Sequence, residues 1–123
     1  MKAKILVIED NEQNMYLVTF ILEKHDYQVF QAKNGMDGIS LASQQKPDLI
    51  LLDIQLPFMD GYSVARELRK MVELVKTPII AVTSYAMSGD RENALKAGCS
   101  GYIEKPINPE TFITQIEQYL LIE

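Results

Sequence analysis

Three short, uninterrupted apolar runs constrain the fold of this 123-residue chain more than any other feature of its sequence. They span residues 5–8, 49–52 and 79–82, and none of them alternates between polar and apolar side chains. Strands that pack on only one face show such an alternation, so these runs predict central strands covered on both faces. Two weaker strands fit residues 28–32 and 101–104.

The segments between these runs are longer and amphipathic, and they predict helices. The predicted helices span residues 12–25, 36–45, 62–74, 87–97 and 109–121. Pro109 marks a helix start, Gly98 a helix stop, and Asp60-Gly61 a turn that opens a helix. Alternating strands and helices form a parallel sheet with helices on both faces, so the predicted class is α/β. We find no repeat or linker and predict one domain over residues 1–123.

Composition excludes several classes of function. The formal net charge is -5, which argues against nucleic acid as a partner because phosphate backbones are bound by basic faces. No apolar run approaches the ~20 residues that span a bilayer, so we expect no membrane partner. Cys99 is the single cysteine and cannot form an internal disulfide, which fits a reducing compartment. These features predict a cytoplasmic protein.

Polar residues follow the predicted central strands. Glu9 and Asp10 follow the first apolar run, Asp53 follows the second, and Thr83 follows the third. Lys105 comes directly after the last predicted strand. The carboxyl ends of parallel strands share one edge of the sheet, and ligands bind there where the strand order reverses. We therefore expect three carboxylates, a hydroxyl and a lysine to meet in one small volume.

Each of these residues, taken alone, has a simpler explanation. Asp10 or Asn11 could cap the first helix. Asp53 could be a turn residue, although its place after four apolar residues favours a partly buried carboxylate. Thr83 could be an ordinary β-branched strand residue, and Lys105 a solvated surface charge. Their expected convergence is what favours a functional site.

The charges of such a cluster predict its chemistry. Neighbouring carboxylates raise each other's pKa unless a cation offsets their charge. Oxygen ligands without His or Cys favour Mg²⁺, which keeps several waters and typically binds together with a phosphate. Asp10 and Asp53 around the metal, with Lys105 opposite, would form a cradle for a phosphoryl group. An aspartate there could accept the group as an acyl phosphate.

Five segments, in this order and spacing, resemble the receiver domains of bacterial two-component systems and cover nearly the whole chain. The segments are Val7-Ile8-Glu9-Asp10-Asn11, Pro47-Asp48-Leu49-Ile50-Leu51-Leu52-Asp53, Leu56-Pro57-Phe58-Met59-Asp60-Gly61, Pro78-Ile79-Ile80-Ala81-Val82-Thr83 and Gly101-Tyr102-Ile103-Glu104-Lys105-Pro106. Within that family, the chain is similar to stand-alone regulators of the DivK type and to receivers of hybrid histidine kinases. The resemblance implies a flavodoxin-like, doubly wound sheet of five parallel strands in the order 2-1-3-4-5.

The resemblance also implies a role for each residue of the cluster. Asp53 would accept a phosphoryl group from a phosphohistidine on a histidine kinase or a histidine phosphotransfer protein. Thr83 would hydrogen-bond that group, Lys105 would pair with it, and Tyr102 would turn inward as an aromatic switch. The implied Mg²⁺ ligands are Asp10 and Asp53, Glu9 close by or through water, and the main-chain carbonyl of Gln55.

Three positions bear on the lifetime of the phosphorylated form. Ser84 stands where the family usually has Ala, and its hydroxyl could reach the phosphoryl group. Gln55 offers no carboxylate to activate water, and Tyr85 is bulky near the line of water attack. We therefore expect a long-lived phosphorylated form, which Tyr85→Ala should shorten. A separate expectation is a cis Lys105–Pro106 peptide, because the chain must turn sharply while Lys105 points into the site.

Three classes of function compete for this chain. The first is a signalling switch that catalyses its own phosphorylation and slow dephosphorylation, alters its binding to a downstream protein, and is a monomer or a weak dimer. The second is a pseudo-receiver that binds partners without phosphorylation; the intact Asp53, Thr83 and Lys105 argue against it, as does Asp10. The third is a phosphatase-like enzyme, which would need a substrate-specificity segment for which the short loops leave no room. We expect the first, without an output domain.

The first predicted helix offers a docking face for the phosphodonor. Its sheet-facing residues are predicted to be Leu17, Val18, Ile21 and Leu22. Tyr16 and Phe20 then lie on roughly the opposite side, facing water. Scattered apolar surface is the alternative explanation, since it is common on small proteins. Because this helix begins beside Asp10, we expect the aromatic pair to contact the donor protein.

Overall fold

The computed structural model describes residues 3–84 and 89–120, and within them five strands alternate with five α-helices. The strands are β1 (Lys4–Ile8), β2 (Gln28–Ala32), β3 (Leu49–Asp53), β4 (Ile79–Thr83) and β5 (Gly101–Glu104). The helices are α1 (Glu12–Lys24), α2 (Gly35–Gln45), α3 (Gly61–Arg69), α4 (Asp90–Lys96) and α5 (Pro109–Leu120). One turn of 3₁₀-helix, Val72–Leu74, follows α3.

The five strands form one parallel sheet in the order β2-β1-β3-β4-β5, which confirms the predicted fold class and strand order. The chain builds outward from β1 to β2, then crosses β1 to place β3 on its other side. The strand order therefore reverses between β1 and β3. In sheets of this kind, the crevice at the carboxyl ends of those two strands is where ligands bind.

Two apolar layers cover the sheet, one on each face. Along β1, Ile5 and Val7 face the layer that contains α1 and α5, whereas Leu6 and Ile8 face the layer that contains α2, α3 and α4. The same alternation holds along β3 and β4, and every residue of those two strands is buried. Because each face packs against helices, both sets of side chains must be apolar. This explains the uninterrupted apolar runs.

Short polar side chains set the beginnings of the helices near the crevice. The side chain of Asn11, and not that of Asp10, caps α1 by accepting a hydrogen bond from the backbone N–H of Asn14 at 2.9 Å. Asp60 caps α3 in the same way, which confirms that Asp60-Gly61 opens a helix. A Cβ atom on Gly61 would lie 2.5 Å from the Cα of Ile54, so only glycine fits this close approach.

The predicted helix over residues 62–74 is wrong in its second half, because α3 ends at Arg69. The guanidinium of Arg69 donates hydrogen bonds at 2.7 Å to the carbonyl oxygens of both Leu74 and Thr77. It also donates to the carbonyl oxygen of Gly98 at 2.8 Å. These bonds fold the chain after α3 back against the helix end, and a continuous helix could not make them.

The other predicted helices need smaller corrections. The helix predicted over 87–97 begins at Asp90 and ends at Lys96; Gly89 has a φ of 94° and cannot extend the helix, and residues 87 and 88 lie outside the described part of the chain. The remaining three helices agree with prediction to one residue at each described end. Among the described residues, no helix is both long and apolar enough to cross a membrane.

Candidate functional site

The central strand β3 delivers Asp53 to the crevice as its last residue. The side chain is buried, with 3% of the residue exposed. Its Oδ1 accepts a hydrogen bond from the backbone N–H of Gln55 at 3.0 Å, and its Oδ2 lies 3.4 Å from the Nζ of Lys105. Two hydrogen-bonding groups therefore hold this carboxylate in a fixed orientation.

Glu9 and Asp10 enter the same crevice from the end of β1. Glu9 is buried, and its Oε1 lies 2.9 Å from the Nζ of Lys105. Its Oε2 accepts a hydrogen bond from the backbone N–H of Asn11 at 3.2 Å. Asp10 is exposed, yet one oxygen from each of Glu9, Asp10 and Asp53 lies within 4.8 Å of the others. The structure thus brings together the three carboxylates that the sequence predicted.

The surroundings of Glu9 stabilise its neutral form relative to that of a carboxyl in water. Burial is the largest cause and raises the pKa of the Glu9 carboxyl from 4.5 to about 7; the hydrogen bond and charge of Asp53 act in the same direction. Lys105 opposes this rise but does not cancel it. A cation beside these carboxylates would reduce the cost of keeping Glu9 charged.

Strands β4 and β5 supply the hydroxyl and the ammonium group of the site. Thr83 is the last residue of β4 and is buried. The backbone N–H of Lys105 donates to the carbonyl oxygen of Thr83 at 2.8 Å, which places the start of the Lys105 side chain beside the end of β4. The Lys105–Pro106 peptide is cis, as predicted.

The donor set of this cluster fits a hard divalent cation. The three side chains that could bind a metal, those of Glu9, Asp10 and Asp53, are all carboxylates, and hard oxygen ligands are those that Mg²⁺ prefers. Three carboxylates opposed by one lysine leave two formal negative charges, when all four groups are ionised, for a cation to balance. Asp10 is exposed, so solvent reaches the cluster and could complete a hydrated coordination shell.

The structure also locates the predicted residues Ser84, Gln55 and Tyr102. The hydroxyl of Ser84 donates a hydrogen bond to the side-chain carbonyl of Gln55 at 2.9 Å, which joins the loops after β3 and β4. Tyr102 is half-buried and packs against the layer of α2, α3 and α4; burial is the largest cause of the raised pKa of its hydroxyl. Tyr85 lies outside the described residues.

The predicted faces of α1 are found as expected. Val18, Ile21 and Leu22 are buried, and Leu17 is partly buried against the same layer. The opposite side exposes Tyr16 by 71% and Phe20 by 53%. Their ring centroids are 6.3 Å apart with an interplanar angle of 17°, and the Nζ of Lys24 lies 5.8 Å from the centroid of Phe20. These three side chains form a continuous outer stripe on α1.

Sequence reasoning missed two features around the site. It did not identify Glu9 as the nearer carboxylate partner of Lys105, because the strand order places β5 closer to β3 than to β1 and only the side-chain conformations bring the Nζ of Lys105 nearer to Glu9. It also passed over Phe58, whose side chain is fully exposed on the loop between β3 and α3. Pro57, which comes directly before Phe58, was the available signal that this segment is a turn.

Comparison with known proteins agrees with this fold and this acidic crevice. A family model for the response regulator receiver domain matches residues 5–117. The chain belongs to that family, the receiver domains of two-component signalling, and is a signalling switch by class. It is 42% identical over 120 residues to the polar-differentiation response regulator DivK of Brucella anthropi, with 98% of each chain covered.

Solved structures give the same result. The receiver domain of a sensor histidine kinase from Pseudomonas aeruginosa PAO1 superposes with a TM-score of 0.90 at 35% identity over 98% of both chains, and its crystal structure has a magnesium ion coordinated in the active-site cleft. The chemotaxis protein CheY4 of Vibrio cholerae superposes with a TM-score of 0.93 at 25% identity, covering 97% of this chain and 99% of that one. The fold prediction is confirmed.

Proposed function

We propose that this receiver domain accepts a phosphoryl group on Asp53, in a reaction that depends on Mg²⁺, and that the modification switches its binding to other proteins. The observation that carries the proposal is the position of Lys105, whose Nζ lies 2.9 Å from Glu9 and 3.4 Å from Asp53. One ammonium group facing two buried carboxylates from different strands is a costly arrangement for a protein that needs only stability. It suits a site that receives an anion.

Under this proposal, the metal ion is held by the carboxylates of Glu9, Asp10 and Asp53 and by the main-chain carbonyl of Gln55. The clustered oxygens of the three carboxylates and their excess negative charge support this assignment. The magnesium ion in the cleft of the Pseudomonas receiver domain supports it as well. When bound, the cation would offset the combined negative charge of the carboxylates and the incoming phosphoryl group.

Asp53 acts as the nucleophile. One of its carboxylate oxygens forms a bond to phosphorus while the bond from phosphorus to the donor histidine nitrogen breaks, and that nitrogen keeps the electron pair. The other ring nitrogen of the donor carries a proton, so the histidine leaves as a neutral imidazole. Lys105 pairs with the phosphoryl oxygens and Thr83 donates a hydrogen bond to them. Because these groups stand in place before the donor arrives, positioning and charge stabilisation provide most of the catalysis.

The phosphorylated form differs in what it binds. Thr83 moves toward the phosphoryl group and Tyr102 turns inward, which changes the surface offered to a downstream protein. The donor is a histidine kinase or a histidine phosphotransfer protein. We assign the switch to the cytoplasm, because the single Cys99 is buried as a free thiol and fits a reducing compartment. We expect it to be a monomer or a weak dimer. Slow loss of the phosphoryl group is part of the same proposal.

Phosphorylation with acetyl phosphate tests the site directly, since this small donor needs no protein docking. The wild-type chain incubated with Mg²⁺ and acetyl phosphate should gain one base-labile phosphoryl group by intact mass spectrometry. Asp53→Asn should gain none, and EDTA should stop the reaction. Asp60→Asn is the matched control: it changes an exposed aspartate on the same loop, keeps its capping function, and should be labelled like the wild type.

Two results would contradict the proposal. A base-labile phosphoryl group on the Asp53→Asn variant would show that a residue other than Asp53 accepts it. A wild-type chain that takes no phosphoryl group, yet still binds its partners, would identify a pseudo-receiver instead.

A further inference from the structure

Phe58 combines two features that are each unfavourable for an aromatic residue. Its side chain is fully exposed, with a relative accessibility of 104%. Its backbone has a φ of 68°, in the left-handed region that Gly, Asn and Asp adopt more readily than an aromatic residue. Either feature alone is unremarkable on a protein surface, but their coincidence at one residue calls for a physical reason.

The backbone around Phe58 forms a tight, strained turn. The N–H of Met59 donates a hydrogen bond to the carbonyl oxygen of Pro57 at 2.7 Å, which closes a three-residue turn around Phe58. Three-residue turns with a positive central φ are rare and strained, and strained residues cluster at binding and catalytic sites. Asn or Gly at this position would form the same turn at a lower cost.

Other residues of the loop provide its packing. Leu56 is buried, and Met59 packs against the layer of α2, α3 and α4. The Cβ and Sδ of Met59 lie 3.4 Å from the point where a side chain on Gly35 would begin, so Met59 fills the space beside α2. These two residues anchor the loop to the rest of the protein, whereas the ring of Phe58 points into solvent.

The turn is also held close to Asp53. The N–H of Gly61 donates to the carbonyl oxygen of Ile54 at 2.9 Å, and a Cβ atom on Gly61 would lie 2.7 Å from the backbone oxygen of Asp53. Phe58 is three Cα steps from Gly61, so the two Cα atoms are at most about 11 Å apart. This separation is similar to the width of an α-helix with its side chains, about 10–12 Å, so the loop that carries Phe58 is within reach of a protein that brings a histidine on a helix to Asp53.

We infer that Phe58 is an anchor residue for the phosphohistidine-bearing donor protein, inserting its ring into an apolar recess of that partner. The inference rests on the proposed function, because it takes the donor to be the protein that must approach Asp53. Aromatic residues contribute disproportionately to the binding energy of protein interfaces. The strained turn fixes the direction of the ring before the partner arrives, which lowers the conformational entropy lost on binding.

Two variants separate the ring from the strain of the turn. Phe58→Asn removes the ring and supplies a residue that tolerates the positive φ, whereas Phe58→Ala removes the ring and keeps the strain. The probe is a purified histidine kinase of the source organism, autophosphorylated with radiolabelled ATP and chosen from a panel as the fastest donor to the wild-type chain. Both variants should receive phosphoryl groups at least about tenfold more slowly. Phe58→Tyr should keep most of the wild-type rate.

Three controls accompany the transfer assay. Acetyl phosphate should label both variants at the wild-type rate. The melting temperature of Phe58→Asn should equal or exceed that of the wild type, because both unfavourable features are removed. Val72→Asn, which changes a residue 85% exposed in the 3₁₀ turn after α3, should leave transfer unchanged.

If the kinase transfers its phosphoryl group to Phe58→Asn or Phe58→Ala at the wild-type rate, the inference is wrong. This holds even if the variant no longer binds some other protein. Slower labelling by acetyl phosphate, or a lower melting temperature of Phe58→Asn, also overturns it, because the ring would then act in the site or in the fold. Failure of acetyl phosphate to label the wild type would refute the proposed function instead. If acetyl phosphate labels the wild type but no kinase of the panel does, the donor part of that proposal fails together with the inference.

Discussion

Arg69 shows how one side chain can organise a region far along the sequence. It ends α3 and uses its guanidinium to hold three backbone carbonyl groups, those of Leu74, Thr77 and Gly98. A fourth hydrogen bond reaches the hydroxyl of Ser100 at 3.1 Å. Burial lowers the pKa of Arg69, but an arginine remains charged at any ordinary pH, so these bonds are charge-assisted.

Replacing Arg69 with Lys should destabilise the protein by about 2–4 kcal/mol, because a single ammonium group cannot reach all four acceptors and leaves carbonyl groups unsatisfied. Urea denaturation followed by circular dichroism measures this as a lower midpoint. Arg66→Lys is the matched control, since Arg66 is exposed and bonds to Ser63 at the weak distance of 3.5 Å. Equal stability of the two variants would show that the guanidinium network is dispensable.

At the scale of elements, α1 shows what one helix can do with two faces. Its buried side packs on β1 and α5, and its outer side exposes the stripe of Tyr16, Phe20 and Lys24. This stripe begins near Asp10, at the entrance of the acidic crevice. Phe58 lies on the loop after β3, so the two proposed contacts with the donor protein come from two separate elements.

Phe20→Asp should slow phosphoryl transfer from the cognate donor protein by about tenfold or more, which corresponds to about 1.4 kcal/mol of lost binding. Labelling by acetyl phosphate should be nearly unaffected. Stopped transfer reactions with a radiolabelled donor measure the first rate, and mass spectrometry measures the second. Normal rates with both donors would exclude this stripe as the docking face, and a parallel fall of both rates would mean that the fold is damaged. Val72→Asp is the control: it also places a negative charge at an exposed apolar residue, and it should leave both rates unchanged.

At the scale of the whole molecule, the acidic crevice links stability to pH. The pKa of Glu9 is about 7 in the folded protein, above the value of 4.5 expected for the unfolded chain, and burial is the main reason. Below pH 4.5 the carboxyl is protonated in both states. As the pH rises from there, the unfolded chain releases this proton first, so folding becomes less favourable until the pH passes about 7.

Without divalent cations, Glu9 should therefore cost the wild type on the order of 3 kcal/mol of unfolding free energy between pH 4.5 and pH 7.5. Glu9→Gln keeps a neutral side chain at every pH, and the difference between the two proteins gives the pH dependence that Glu9 contributes together with its contacts to Asp53 and Lys105. Mg²⁺ should raise the melting temperature of the wild type more at pH 8 than at pH 5, since protons compete for the same carboxylate. A difference that does not change with pH would contradict the prediction.

Much of the fold follows from the sequence, because strand burial is a local property of the chain. The runs 5–8, 49–52 and 79–82 are apolar on every residue, which requires helices on both faces of a parallel sheet. The carboxyl ends of parallel strands lie at one edge, so the polar residues after those runs had to converge. For the same reason Glu9, Asp10, Asp53 and Lys105 could be grouped before any distance was known.

The tertiary structure alone decided the features that depend on contacts between distant segments. Arg69 ends its helix because acceptors as far along the chain as Gly98 come within reach, and helical periodicity carries no information about them. Lys105 lies nearer to Glu9 than to Asp53 although β5 is closer to β3 than to β1 in the sheet, so the reach of the longer Glu9 side chain, and not the strand order, decides this contact. Phe58 faces outward because Leu56 and Met59 occupy the space beneath the loop. Local patterns specify which residues are buried in strands and helices, whereas the partner of a charged or loop residue depends on the packing of the whole chain.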